Sequence, residues 1–255
     1  QGSQLTYNAR MHTNGQRGNI LFLILLAIIL FVALSYAVMN QREQVGTGMS
    51  GEQLDSKAAM ILQYTTLLEQ TVTRLRLTGD CSDTQLSFAS PTFTLNYTNS
   101  NAPADKHCHV FDPAGGGMSV NTAVFDEIAN GDTNNGTIDT IFSGSAVQNV
   151  GTDCANQACN DLMVHLNLGS DANAQNLCTR INQKLGNPAA VSWSGFQYNL
   201  NYQGNYYVAP PRVLGDVSTP IMAGRRAGCY YDTSSTINGV SSVGHYVYYH
   251  VLLAR

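Results

Sequence analysis

From Ile20 to Val38 the chain runs through nineteen residues without a charge, and Ser35 is the only strongly polar one among them. At the helical rise this run spans about 28 Å, close to the roughly 30 Å hydrocarbon core of a bilayer. A helix buried in a soluble domain keeps a polar face, and this run has none. The pattern predicts a transmembrane or filament-core helix over 19–40. Three glycines between Val45 and Gly51 then predict a break or joint over 41–51.

Beyond the joint the period becomes that of an amphipathic helix over 52–78. Ser50 and Gln53 have the spacing of a capping box. Leu54, Ala58, Ile61, Thr65, Leu68, Val72 and Leu75 recur at alternating steps of four and three, a heptad seam that Gly79 ends. Two partners suit the seam, the domain's own sheet or neighbouring subunits.

From Cys81 onward short alternating runs take over, so 79–255 reads as a β-rich head. Gln85–Ala89 and Pro91–Tyr97 alternate as half-buried strands do. Residues 159–185 read as helix, with Ala172, Leu177, Ile181 and Leu185 on one face and Gly186 as the stop. Val191–Val208 and Gly228–Leu253 read as aromatic-rich strands. In the second, alternation sets Tyr246, Tyr248 and His250 on one face and Val247, Tyr249 and Val251 on the other. A tyrosine-rich face suits a subunit interface, a sugar-binding surface or a sheet exposed on one side. The chain's last residues, Leu252 to Arg255, read as a closing strand.

Charge adds orientation. Residues 1–18 form a basic leader: Arg10, Arg17 and His12 precede the apolar run without a single acid, whereas Arg42 sits beside Glu43 on the far side. The positive-inside rule places the N-terminus in the cytoplasm and the head outside it. All six cysteines (Cys81, Cys108, Cys154, Cys159, Cys178 and Cys229) follow the apolar run. An even number in an oxidising compartment predicts three disulfides. Fifteen pairings are possible; joining neighbours along the chain gives Cys81–Cys108, Cys154–Cys159 and Cys178–Cys229. Metal binding at His107-Cys108-His109 is the competing reading, but adjacent residues of an extended chain point to opposite faces.

Charged residues make up only 12% of the 255, about half the share of an ordinary soluble domain, and the net charge is −4. Without a basic stripe, nucleic acid is excluded as a partner. Gly115-Gly116-Gly117 lacks the Lys-Ser/Thr of a phosphate loop and reads as a turn. Asp132, Asn134 and Asp139, with Asn135, surround Gly136 in a pattern that suits either calcium or an Asx-rich turn; the EF-hand spacing is absent. No cofactor other than calcium is expected. There is no G-x-S-x-G, H-E-x-x-H or C-x-x-C motif, and the sequence predicts no enzyme.

Gln16-Arg17-Gly18 stands immediately before Asn19 and the apolar run. A secretory signal has a shorter apolar core, whereas a cut after Gly18 leaves the whole segment on the mature chain. These residues, with Ile20, Phe22, Leu23, Leu26, Ile29 and Leu30, resemble the class III leader and helix of type IV pilins and type II secretion pseudopilins. The resemblance covers about 25 of the 255 residues. It implies an inner-membrane protein with a single span, a peptidase cut between Gly18 and Asn19, and assembly through the apolar helix with other pilin-like subunits. Removing Arg10 and Arg17 would leave 11 basic residues against 17 acids, a net charge of −6.

Two positions depart from the family pattern: Asn19 stands where an apolar residue is usual, and Leu23 where major subunits carry Glu. The second departure implies a minor or tip subunit. The fold expected is α+β: a long N-terminal helix, a second heptad helix and a disulfide-bonded β-rich head, periplasmic or, once in a filament, extracellular. The other function class is an uncleaved membrane-anchored module that binds a glycan or protein on its tyrosine-rich sheet.

Overall fold

A computed structural model describes residues 22–32, 49–93, 96–120, 140–152, 160–189, 192–193, 201–206, 214–215, 220–233, 236–237, 240–241 and 244–255. The chain divides into two compact units, Gln1–Gly48 and Met49–Arg255. In the first, residues 22–32 are helical. The second is a mixed helix-and-sheet body.

Helix α1, Gly51–Leu77, starts at the expected box: Ser50 Oγ accepts from Gln53 N at 3.3 Å, and Gln53 Oε1 accepts from Ser50 N at 3.0 Å. Glu52 in the first turn and Arg74 and Arg76 in the last complement the helix dipole. The entire seam from Leu54 to Leu75 is buried, joined by Tyr64 and Thr71. It packs on the body's own sheet and second helix, the first of the two partners it suited.

Strands β1 (Thr140–Ser145), β2 (Asp161–Gly169), β3 (Ser192–Trp193), β4 (Ala227–Asp232) and β7 (His245–Leu253) form a sheet of order β1-β2-β7-β4-β3. Its pairings are antiparallel except β3 with β4. β5 (Thr236–Ile237) and β6 (Val240–Ser241) make a separate antiparallel pair. Helix α2, Ala172–Leu185, packs against α1, β4 and β7. Asp171 caps it by accepting from Ala174 N at 2.8 Å, and Gly186, with φ +67°, ends it as expected.

The expected helix over 159–185 is corrected in its first half. Leu162, Val164, Leu166 and Leu168 of β2 enter the core on the helix side of the sheet, while Met163 enters a second core on the other side. Leu162, Val164, Leu166 and Leu168 alternate with Met163, His165 and Asn167 at the two-residue period of a strand, and the helical spacing begins only at Ala172.

The strands expected at 85–89 and 91–97 are also corrected. Asp83–Gln85 is a 3₁₀ turn, and one bridge joins Ser87 to His109. Alternation here records burial without a ladder: Leu86, Phe88 and Tyr97 are buried, while Ser87 exchanges backbone bonds with Cys108 and Val110 at 3.1 and 2.9 Å. Of Val191–Val208, the described residues form strand only at β3; Tyr202 instead donates its backbone N–H to Phe142 O at 2.8 Å.

The tyrosine-rich strands at 228–253 form, but Tyr230, Tyr248 and Tyr249 are wholly buried. Both faces of β7 are covered, so the open tyrosine-rich face expected for ligand binding is absent from these three residues.

Cys81–Cys108 ties the end of α1 to the 106–117 loop, and Cys178–Cys229 ties α2 to β4. Cys154 and Cys159 lie outside the described residues. The glycine triplet sits in turns, as expected, and two of its members make room for backbone. A Cβ on Gly115 would stand 2.4 Å from His109 O, and one on Gly116 2.2 Å from Val110 O. The chain's end is also tied down: Arg255 pairs with Asp83 at 2.8 Å, lies 3.7 Å over the Tyr206 ring, and donates its backbone N–H to Asp161 Oδ1.

Candidate functional site

In the first unit, Phe22, Leu23, Leu26, Ile29 and Leu30 all carry exposed apolar side chains on the helical segment 22–32; Leu26, the least exposed of its large apolar residues, is still 44% open. Apolar surface of this kind all round a helix calls for lipid or other apolar helices. Among the described residues, no helix is long and apolar enough to cross a membrane. The segment covers only part of the run from Ile20 to Val38. Gly18, Asn19 and Ile20 lie outside the described residues, as do Asp132, Asn134 and Asp139 of the calcium reading.

Cys81, His107 and Cys108 bring potential ligand atoms within 4.8 Å of one another. The two sulfurs are bonded to each other, so neither offers the thiolate that a metal needs. His107 turns its Nδ1 to Asp105 Oδ1 at 2.5 Å. That hydrogen bond is the main cause holding the Asp105 carboxyl below its ordinary range.

A polar chain that the sequence did not disclose crosses from α1 to the sheet. Arg226 Nη2 donates to Glu69 Oε1 at 2.7 Å, and Glu69 Oε2 meets His250 Nε2 at 2.8 Å. His250 Nδ1 meets the Tyr248 hydroxyl at 3.0 Å, which meets Thr65 Oγ1 at 3.0 Å. Each group thus has its partner inside the body, and the Tyr248 hydroxyl is sealed from solvent. The arrangement docks α1 onto β7 and gives that interface one register.

The His250 hydrogen bond, against desolvation and with the charges of His250 and Arg226, lowers the Glu69 pKa. A lowered folded pKa stabilises the fold above the unfolded value, and that contribution is lost as pH falls through the folded one. Glu69→Gln is therefore expected to cost about 1–2 kcal/mol at pH 7, a modest figure because the carboxylate is partly exposed. Thermal melts recorded from about pH 6 down to pH 3 check this: the wild-type advantage should shrink on acidification. An advantage that is constant across that range would contradict the assignment.

A second polar pair, Ser143 Oγ and His165 Nε2 at 2.9 Å, is buried in β1 and β2. Burial depresses the His165 pKa to about 3, so the ring is neutral at ordinary pH. His165 lies on strand β2, where a helix was expected.

The 106–117 loop and residues 89–93 and 96–98 line an open cleft of about 550 Å³. Phe93 and Phe111, with ring centroids 5.4 Å apart, are two of its aromatic walls. His109, Asn96 and the Lys106–Asp112 ion pair, 3.1 Å between charged atoms, supply its polar lining. Only the histidine and glycine pattern around Cys108 hinted at this place from the sequence. Comparison of the chain with protein-family models, curated proteins and solved structures gives no match.

Proposed function

We propose that this chain is a structural, pilin-like subunit of a bacterial surface filament or secretion pseudopilus, held in the inner membrane before assembly. The observation that carries the reading is an exposed, wholly apolar helical segment, 22–32, joined in sequence to a separate, folded, disulfide-bonded body. Such a segment is soluble only when lipid or other apolar helices cover it, and a subunit that moves from bilayer to fibre core exchanges one cover for the other. Oxidised cysteines in the body fit a periplasmic or extracellular head.

In this reading the N-terminus is cytoplasmic, Gly18 and Asn19 flank the processing cut, and residues 19–38 pack laterally with other pilin-like subunits. Leu23 gives the helix no buried carboxylate to pair with a neighbour's amine, which suits a minor or tip position. The body is a scaffold without a catalytic role. Tyr230, Tyr248 and Tyr249 are buried, and on the described parts of those strands only Tyr231 and Tyr246 are partly open, which favours the subunit reading over the anchored binding module.

N-terminal sequencing of the native chain from its membrane fraction tests the processing. A chain that begins at Asn19 is the expected result. A chain that retains residues 1–18 would contradict maturation by a prepilin peptidase.

A further inference from the structure

Helix α1 carries a second seam besides the one that packs on the sheet. Ser56, Met60, Gln63, Leu67, Gln70 and Leu77 recur in steps of four and three, with Arg74 at the one intervening place, and all of them are exposed. At the helical period they fall on the side opposite the buried seam. The helix is not short of charge, since six of its 27 residues carry one. None of the six stands on this face between Gln53 and Arg74. At its flanks, Asp55 turns to Arg180 and Lys184 of α2, and Glu69 to Arg226 and His250. A helix side that meets only water ordinarily carries charge, whereas loss of charge around exposed Met and Leu marks the centre of an interface.

We infer that this face docks on the same face of a second copy of the chain, with the two α1 helices antiparallel. The alternating spacing is the one with which a helix packs along another helix. Charge selects the direction. Glu52 is exposed in the first turn, and Arg74 and Arg76 are exposed in the last. A parallel pair sets like charges together at both ends; an antiparallel pair sets the acidic end of each helix beside the basic end of the other. The helix dipoles favour the same arrangement.

The middle of the face agrees. Gln63 lies next to the midpoint of α1, where a two-fold pair brings each residue to its own copy. An amide is donor and acceptor at once, so it can bond to itself across the axis. The inference does not rest on the subunit reading: α1 belongs to the folded body, and the apolar segment to the other compact unit.

The experiment uses the full oxidised chain in detergent, with one added cysteine at position 63, 53 or 77 and a short bismaleimide as cross-linker. Wild type gives the baseline. Gln63→Cys is expected to couple to itself, about tenfold above that baseline. Gln53→Cys should not couple to itself, because the antiparallel pair holds its two copies roughly 30 Å apart or more. Mixed with Leu77→Cys, it should couple. Leu67→Lys, at an exposed position, should lower the Gln63→Cys coupling about tenfold, as loss of an interface anchor does, and leave the thermal midpoint unchanged.

Self-coupling of Gln53→Cys would overturn the inference and mark a parallel pair. So would equal coupling at all three positions, which is random collision within micelles. Absence of Gln63→Cys coupling, or coupling that Leu67→Lys leaves undiminished, would overturn it as well.

Discussion

Replacing Cys178 and Cys229 together by alanine is expected to lower the unfolding free energy of the body by about 4 kcal/mol. The two cysteines are 51 residues apart, and cross-linking a loop of that size removes chain entropy of about that amount from the unfolded state. The native side of the comparison changes little. Asn182 still donates to Cys229 O at 2.8 Å and accepts from Cys229 N at 2.9 Å, and both bonds reach backbone that alanine keeps. Helix α2 therefore remains docked on β4, and the loss reports the cross-link itself.

The corresponding change at Cys81 and Cys108, 27 residues apart, should cost slightly less, about 3.5 kcal/mol. Denaturant unfolding of oxidised wild type beside each double variant checks both values. A loss under about 1 kcal/mol at the longer loop would mean that the unfolded chain is already held together there.

Local rules and long-range ones were unequally legible in this chain. Ser50 with Gln53, the seven-residue seam of α1 and the Gly186 stop are short-range patterns, and each appears where its spacing put it. The pairs Cys81–Cys108 and Cys178–Cys229 follow chain neighbourhood, and both form. β2 keeps the strand period at Leu162, Val164, Leu166 and Leu168, but the helical spacing of the adjoining Ala172–Leu185 carries a helix reading back over it. Gln85–Ala89 and Pro91–Tyr97 alternate as strands do, but among their described residues Ser87 alone bridges to the neighbouring loop, at Cys108 and Val110, and no ladder forms.

The polar chain under α1 had no signature because Glu69 and His250 are 181 residues apart and meet only when α1 lies on β7. The cleft is hidden for a similar reason. Phe93, in a run that reads as a strand, meets Phe111 only in the folded body, 18 residues further along the chain.

The apolar segment carries the second large expectation. Leu26 and Ile29 sit one turn apart in the helical segment, and both are exposed. A lysine near the centre of a membrane helix costs about 2.5–3.5 kcal/mol, so Leu26→Lys with Ile29→Lys should cost about 5–7 kcal/mol of membrane or fibre-core burial. The head, a separate compact unit, should keep its fold and both described disulfides.

The decisive measurement is the distribution of wild type and this double variant, expressed in the native host, between alkali-washed membranes, sheared filament fractions and soluble protein. Wild type in the first two, with the variant released from the filament fraction although its head melts normally, is the result this account predicts. Wild type found wholly as soluble monomer, or a variant that assembles as well as wild type, would contradict a subunit that acts through its apolar helix.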